Sequence, residues 1–207
     1  MRLWSTSHLG FTGQGWDYAS IVSMVVLGMT ISDEQSTDPT LPNDASNDDA
    51  PLTIRRPTVD DGGGMWRVAR DSGSLDLNSS YSYLLLADHF SDTCRIALLG
   101  DDVVGFVSGY RLPRDPSRYF LWQVAVDERA RGRRVAGRLI DAVIDDQPEI
   151  TSMVTTVTED NQSSRRVFQR WSAARGATLH EAPGFEAHHF PDGHEAEPLL
   201  VIDGFRH

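Results

Sequence analysis

The chain has 207 residues, enough for one sizeable domain with an extension, and its formal net charge is −11. This acidity excludes general nucleic-acid binding, because a polyanion needs an extended basic track. All nineteen basic residues are arginine. The one cysteine, Cys94, excludes an internal disulfide and fits a reducing compartment, so we expect a cytoplasmic protein in which Cys94 is a small buried hydrophobe.

The first 50 residues differ in composition from the rest. Residues 21–29 are an apolar run that is too short for a membrane span and only a weak candidate for a signal peptide. Residues 32–50 carry six acidic and no basic side chains among Ser, Thr, Asn and Pro, a composition typical of disorder. We therefore predict a disordered extension over residues 1–50 and one domain over residues 51–207.

The domain is predicted to open with a strand at residues 53–57 and a helix that Thr58 caps. Glycines at positions 62–64 are expected to weaken the first turn of this helix. A polar loop at residues 71–80 follows, and such loops usually carry function rather than packing. A second helix is predicted over residues 81–90, capped by Ser79 or Ser80.

A run of strands comes next. Residues 93–99 and 103–110 are predicted to form a hairpin around the turn at 100–102, and Pro113 and Pro116 to break the chain before the next strand. The remaining predicted elements are a strand to residue 126, a helix to residue 144, a strand at 153–158, a helix from about 158 to 175 that stops at Gly176, and two final strands before residue 203.

The most informative stretch is residues 119–144. Its apolar residues first crowd together and then recur at helical spacing, which marks a strand followed by a helix. Between them, residues 129–136, here called the basic turn, contain four arginines and a glycine. Helix N-termini and arginines both favour anions. The turn is therefore either a solvated basic loop or a diphosphate-binding turn, and the strand that leads into it favours the second.

The basic turn resembles the acetyl-CoA motif of the GNAT superfamily of N-acetyltransferases, whose pattern is Gln/Arg-x-x-Gly-x-Gly/Ala. The resemblance implies a mixed α+β, three-layer fold with a twisted sheet flanked by helices, and acetyl-CoA as co-substrate. Arg134 departs from the pattern, because the family usually has glycine there. Arg134 therefore either keeps a helical backbone with its N–H available, or weakens CoA binding. The implied CoA-binding residues are Val124, Ala125, Val126, Arg131, Gly132, Arg133, Arg134, Val135, Ala136, Asn161 and Ser164.

Two further positions matter for the resemblance. Asn161 matches the family asparagine that contacts the pantetheine arm. Seven residues later the family often has a tyrosine that protonates the departing thiolate, whereas this chain has Phe168, which has no proton to give.

A narrower resemblance covers the segments LDLNSSY at residues 75–81, WQV at 122–124, TTVT at 155–158, and the closing HFP and HE at 189–195. These are similar to the L-2,4-diaminobutyrate acetyltransferases of ectoine biosynthesis. The resemblance implies L-2,4-diaminobutyrate as substrate, its γ-amine as the acceptor, and a homodimer without membrane or nucleic-acid partners.

The chemistry of that substrate suggests roles for individual residues. A doubly cationic amino acid requires carboxylates around the amine that does not react, so we expect Asp76 to bind substrate, with Asn78, Tyr81 and Trp122 beside it. Glu197 and His194 are the candidates for steering or deprotonating the attacking nitrogen, with Trp122 as a third catalytic candidate. A splayed strand near Trp122 could supply an N–H to the developing oxyanion. Asp76 could equally cap a loop, and Trp122 could be a core residue.

Other functions remain open from sequence. The same fold could act on a polyamine or an aminoglycoside, and Arg134 with Phe168 allows a non-catalytic CoA-binding domain. The four histidines between positions 180 and 194 could suggest zinc, but no paired cysteines or HExxH spacing accompany them. We therefore predict no metal.

Overall fold

A computed structural model of the chain describes residues 51–73 and 75–206. The predictions for residues 1–50 lie outside the described residues. The strands are β1 (Leu52–Arg55), β2 (Arg95–Leu99), β3 (Asp102–Leu112), β4 (Asp115–Val126), β5 (Ser152–Thr156), β6 (Thr178–Phe185) and β7 (Glu197–Asp203). The helices are α1 (Gly62–Ser72), α2 (Ser80–Asp88), α3 (Val135–Ile144) and α4 (Gln162–Arg175).

All seven strands belong to one sheet in the order β1-β2-β3-β4-β5-β7-β6. Every neighbouring pair is antiparallel except β4 and β5, which are parallel. The crossover between these two parallel strands is α3, as a parallel connection requires. The sheet is therefore mixed, as predicted.

Helices cover both faces of the sheet. On β2, Ala97 and Leu99 pack into the cluster that contains α3 and α4, while Ile96 and Leu98 pack into the cluster that contains α1 and α2. Successive strand residues point to opposite faces, so the two clusters lie on opposite sides. This three-layer α+β arrangement confirms the predicted fold class.

The glycines at the start of α1 have a packing role that propensity did not indicate. A Cβ on Gly62 would lie 2.8 Å from Leu84 Cδ2, and one on Gly64 would lie 2.7 Å from Val103 Cγ2. The glycines let α1 approach α2 and β3 closely, and the helix begins at Gly62 itself. The predicted cap forms one turn earlier, where Asp61 Oδ2 accepts hydrogen bonds from the Thr58 N–H and hydroxyl at 2.7 and 2.9 Å.

Pro116 does not precede the central strand, as the sequence suggested, but lies inside β4. The turn is made by residues 113–114, because Leu112 pairs with Asp115. The register then shifts before Arg111 pairs with Tyr119, so Pro116 occupies an irregular stretch at the start of the strand. Proline is tolerated there because its missing N–H leaves no ladder bond unmade.

Cys94 is fully buried just before β2. Burial raises the pKa of its thiol to about 12, so the thiolate is not formed near neutral pH. No helix in the described part of the chain combines the length and apolarity that crossing a bilayer requires.

Candidate active site

The centre of the site is the place where β4 and β5 separate. The two strands pair only from Arg118 to Phe120 on β4 and from Ser152 to Val154 on β5. β4 nevertheless continues to Val126, paired on its other side with β3. Beyond Phe120 the described strands leave a gap, with one edge of β4 facing it, in agreement with the splayed strand predicted near Trp122.

A β-bulge lies at this gap. Ser108 pairs with Gln123 and Gly109 with Leu121, which leaves Trp122 without a partner on β3. The Trp122 side chain is 38% exposed, so the alternative of a plain core residue is wrong. The predicted CoA-contacting residues Val124, Ala125 and Val126 follow it along the same strand.

The basic turn connects β4 to α3 and leaves the helix N-terminus open. The first intrahelical bond of α3 runs from the Arg138 N–H to the Arg134 carbonyl at 3.1 Å, so the N–H groups of residues 135–137 precede it. Arg134 supplies no side-chain cap. Gly132 has a φ of 79°, and a Cβ there would meet nothing within 4 Å. These features suit an anion that approaches the backbone closely.

Arg134 itself has φ 57° and ψ 28°, and among the described residues it is the one non-glycine residue with positive φ. Of the two alternatives for Arg134, the one with a helical backbone is wrong, because Arg134 adopts the left-handed conformation, which glycine takes freely. A side chain in that region costs about 1–2 kcal/mol. The turn is thus formed at the expense of local strain.

The other arginines of the turn differ in availability. Arg129 is paired with Asp127 and Asp102, at 3.1 and 3.0 Å. Arg131 pairs with Glu128 at 2.8 Å, but both side chains are more than half exposed. Exposed pairs of this kind contribute little, about 0–1 kcal/mol, so a phosphate can replace Glu128 as the partner of Arg131.

The N-terminus of α4 is arranged differently. Asn161 caps it, since its Oδ1 accepts hydrogen bonds from the Ser164 N–H at 3.1 Å and the Ser163 hydroxyl at 2.9 Å. The two residues predicted to bind CoA here are therefore bonded to each other, and the Asn161 side-chain N–H₂ is the donor left for a ligand. Phe168 lies seven residues after Asn161, within α4. It is buried in the same core cluster as Trp171 and contributes to packing.

Three predicted residues meet across the gap. His194 Nε2 lies 3.3 Å from Asp76 Oδ2 and 3.8 Å from Glu197 Oε1, and we call these three residues the acid–histidine cluster. The side chain of Asp76 is 83% exposed, whereas those of His194 and Glu197 are 26% and 22% exposed. The cluster therefore opens to solvent on the side of Asp76.

Each end of the cluster is attached to one of the diverging strands. The Gln123 side-chain N–H₂ on β4 donates to the Asp76 carbonyl at 2.9 Å, and the Thr156 hydroxyl at the end of β5 donates to Glu197 Oε2 at 2.5 Å. The Phe190 ring lies 4.7 Å from the His194 ring. Sequence reasoning gave no role to Gln123, Thr156 or Phe190. The polar side chains within two apolar strand segments were the available signal for the first two.

The electrostatics of the cluster favour a protonated histidine. The contact of His194 Nδ1 with the Glu195 carbonyl at 2.8 Å, together with the charges of Asp76 and Glu197, raises the pKa of His194 above its usual value. The carbonyl contact also fixes the ring, leaving Nε2 directed at the two carboxylates. A proton on His194 would place a positive charge between the two carboxylates.

Two other predicted substrate residues lie outside this cluster. Asn78 hydrogen-bonds the hydroxyl of the buried Tyr83, so at least part of its role is structural. Tyr81, at the start of α2, is exposed.

The acid–histidine cluster is also the one grouping in the described ranges, 51–73 and 75–206, whose ligand atoms could hold a metal ion, with all three within 4.8 Å of one another. The remaining tail histidines do not join it. His189 Nδ1 accepts from the Glu186 N–H at 3.0 Å, and its ring lies 4.0 Å from the His188 ring at an angle of 52°. The zinc site considered from four histidines therefore does not assemble.

The matching family model is "Acetyltransferase (GNAT) family", which covers residues 64–172. The chain belongs to this family of acetyltransferases, which confirms the resemblance noted from the basic turn.

Its relatives within the family define a narrower group. The chain is 46% identical to the L-2,4-diaminobutyric acid acetyltransferase of Streptomyces coelicolor, over 74% of this chain and 93% of the relative. It is 41% identical to that of Halomonas elongata, over 76% of this chain and 83% of the relative. The solved diaminobutyrate acetyltransferase of Paenibacillus lautus, in complex with L-2,4-diaminobutyric acid and coenzyme A, is similar with a TM-score of 0.72 and 40% identity, covering 76% of this chain and 98% of that one.

Proposed function

We propose that this protein transfers the acetyl group of acetyl-CoA to the γ-amine of L-2,4-diaminobutyrate, a step of ectoine biosynthesis. The observation that carries the proposal is the acid–histidine cluster, which spans the gap between β4 and β5, the strand β4 itself leading on into the basic turn. Two carboxylates in this position suit a small cationic amine, and the turn suits the diphosphate of CoA.

CoA would bind along β4 and the basic turn. The unbonded N–H groups at the start of α3 and the exposed guanidinium of Arg134 would contact the diphosphate. The edge of β4 that faces the gap would receive the pantetheine arm, with the Asn161 N–H₂ as a further donor. The residues Val124, Ala125, Val126, Arg131, Gly132, Arg133, Val135, Ala136 and Ser164 complete the proposed CoA site.

The amine would enter the acid–histidine cluster. Asp76 supplies an exposed carboxylate for the ammonium group that does not react, and its exposure leaves room for a ligand. Glu197 is held by Thr156 and is less exposed, so its orientation is fixed relative to the gap. Asn78, Tyr81 and Trp122 would line the remainder of the pocket.

The attacking nitrogen must lose a proton first. Deprotonating an alkylamine with a pKa of about 10.4 costs about 4.6 kcal/mol at pH 7. Glu197 and His194 would accept this proton, because an arriving ammonium group between the two carboxylates opposes protonation of His194 and favours its neutral form. Placement of the amine beside the thioester contributes a further large share of the rate.

The transfer then proceeds without a covalent enzyme intermediate. The neutral nitrogen forms a bond to the thioester carbonyl carbon, and an N–H of the bulged strand near Trp122 stabilises the oxyanion. As the carbon–sulfur bond breaks to release CoA thiolate, the nitrogen gives up a second proton and becomes the amide. Phe168 has no proton to give, so the second proton, passed through the acid–histidine cluster, protonates the sulfur, and the first leaves to solvent.

Turnover with a panel of amines tests the proposal. Purified protein with acetyl-CoA should release CoA rapidly with diaminobutyrate and far more slowly with putrescine or an aminoglycoside, and NMR of the product should place the acetyl group on the γ-nitrogen. Acetylation of the α-nitrogen, or a preference for another amine, would reject the proposed substrate. Saturable acetyl-CoA binding without turnover would indicate a non-catalytic domain.

We also propose a cytoplasmic homodimer. The family resemblance supports the dimer, and the edge strand β6, with the exposed Phe185 at its end, offers a surface for it. The single buried cysteine is compatible with a reducing compartment. Light scattering on the eluting protein should give twice the chain mass.

A further inference from the structure

The bulge at Trp122 changes which face of the sheet the following side chains occupy. Before the bulge, Tyr119 and Leu121 pack into the core on the α3 and α4 side. After it, Val124 and Val126 pack on that side, while Ala125 packs with α1 and α2. Regular alternation from Leu121 would have placed residue 123 on the α3 and α4 side, so the extra residue moves Gln123 to the opposite face.

On that face Gln123 is only 4% exposed and connects three elements. Its Oε1 accepts a hydrogen bond from the Tyr83 hydroxyl of α2 at 3.1 Å, and its Nε2 donates to the Asp76 carbonyl at 2.9 Å. Tyr83 is itself fully buried and also hydrogen-bonds Asn78. The Gln123 amide is therefore bonded to Tyr83 in the core at one end and to the Asp76 main chain at the other.

Residues 75–79 lie between α1 and α2, and we call them the Asp76 loop. The bonds to Gln123 and Tyr83 help to hold this loop in place. The Asp76 carboxylate is 83% exposed, and its one side-chain contact in the described residues is with His194. The Asp76 main chain is held by its carbonyl bond to Gln123, and the preceding Leu75 packs against the α1 and α2 cluster. A buried amide that loses its acceptor is costly, so the bond holds the loop close to β4.

We propose that Gln123 is a positioning residue, which sets the Asp76 carboxylate against His194 by way of the Asp76 main chain. Gln123 contacts neither reacting group, so it acts through Asp76. The proposal rests on the proposed function, since it assigns Asp76 to the amine.

Gln123→Met tests the proposal, because methionine keeps the length and bulk of glutamine and removes both hydrogen bonds. The Michaelis constant for diaminobutyrate should rise by about tenfold or more, while the dissociation constant for acetyl-CoA stays within about twofold. Hydrogen exchange at residues 75–79 should accelerate, with β3 and β5 unchanged. An unchanged Michaelis constant and unchanged loop exchange would overturn the proposal.

Gln147→Met is the matched control. Gln147 is also buried, and its Nε2 also donates to a main-chain carbonyl, that of Asp92 at 3.0 Å, but it is not connected to the Asp76 loop. Both variants should lower the melting temperature, whereas only Gln123→Met should change the Michaelis constant for diaminobutyrate. Equal kinetic effects of the two variants would reduce Gln123 to a purely structural role.

A second variant protects the test against misfolding. Tyr83→Phe removes the Tyr83 bonds to Gln123 and to Asn78 but leaves the Gln123 bond to the Asp76 carbonyl, so its kinetic effect should be smaller than that of Gln123→Met; a larger effect would contradict the proposed path. Loop exchange is independent of turnover. If the wild-type protein did not acetylate diaminobutyrate but hydrogen exchange at residues 75–79 accelerated in Gln123→Met, the result would support the bond from Gln123 to the Asp76 loop and reject the proposed function.

Discussion

The proposed CoA side and the proposed amine side of the site are built in opposite ways. The CoA side is mainly one continuous strand, turn and helix, in which β4 leads through the basic turn to α3, with Asn161 and Ser164 added from the start of α4. The amine side is assembled from the Asp76 loop, the bulge of β4, the end of β5 and the segment before β7. The first depends mainly on local geometry, whereas the second exists only when distant segments are brought together.

The difference also appears in how each side is held. The basic turn keeps its shape through backbone conformation, even where Arg134 must adopt positive φ. The acid–histidine cluster keeps its shape through side-chain bonds from Gln123 and Thr156. We therefore expect single substitutions to separate the two sides, with amine use far more sensitive than CoA binding.

The largest separation is expected from Glu197→Gln. Removing a group that accepts the proton of the attacking nitrogen should lower kcat by about 10²–10⁴-fold. Acetyl-CoA affinity should be unaffected, as measured by calorimetry. Glu195→Gln is the control, because Glu195 contacts His194 through its main-chain carbonyl, which the substitution keeps. Loss of acetyl-CoA binding in Glu197→Gln would show that the two sides are not separable.

Asp76→Asn should produce the next largest effect. The substitution removes a charge from a bond to a substrate ammonium, which is worth about 1.5–3 kcal/mol, so kcat/KM for diaminobutyrate should fall by roughly 10–100-fold. Asp101→Asn, in the exposed turn between β2 and β3, should leave it unchanged. If diaminobutyrate use and CoA binding fell equally, Asp76 would not belong to the amine side.

The pH dependence of kcat/KM for diaminobutyrate and that of acetyl-CoA affinity should also differ, although by less than the effects of the substitutions above. Because the folded pKa of His194 is raised, kcat/KM for diaminobutyrate should increase with pH through a value above the usual histidine pKa. Any stabilisation from this protonation is fully present below the unfolded pKa and is lost as pH rises through the folded pKa. His194→Gln should remove this rise of kcat/KM with pH, and the affinity for acetyl-CoA should not change over the same pH range. A rise that persists in the variant would be due to the titration of another group.

Arg134→Gly should change the CoA side only slightly. Glycine relieves the left-handed strain, so the free energy of unfolding measured with urea should rise by about 1 kcal/mol. The Michaelis constant for acetyl-CoA should stay within a few-fold. Arg133→Gly, where the backbone does not require glycine, should not stabilise. A tenfold improvement in the Michaelis constant, about 1.4 kcal/mol, would show that Arg134 impedes CoA.

Chelation should have no effect on either side. Dialysis against EDTA should leave turnover unchanged, because the acid–histidine cluster is proposed to bind an amine rather than a metal. Lost activity that zinc restores would assign the cluster to a metal instead.

Much of the secondary structure could be predicted from sequence because its signals are local. The change in the spacing of apolar residues within 119–144 indicated β4, the basic turn and α3. Gly176 indicated the end of α4, where it has a φ of 64°. What the sequence did not indicate involved packing. The glycines of α1 were judged by helix propensity alone, and their close contacts with Leu84 and Val103 were not foreseen. The expectation that Pro116 precedes the strand was wrong, because an irregular stretch of β4 accepts it.

The site divides in the same manner. Asp76, His194 and Glu197 could be nominated from residue chemistry and resemblance, but their convergence within hydrogen-bonding range could not be deduced from spacing. Gln123 was missed because alternation along β4 assigns it to the wrong face, and only the unpaired Trp122 reverses that assignment.

By itself, the sequence determined the family, the basic turn and the order of the elements, because each of these is indicated by patterns within short segments of the chain. Only the tertiary structure decided which carboxylates meet His194, that Arg134 takes a left-handed backbone, and that Gln123 supports the Asp76 loop. The physical reason is that strand register and a one-residue bulge determine the direction of every side chain that follows, and both result from pairing between distant segments.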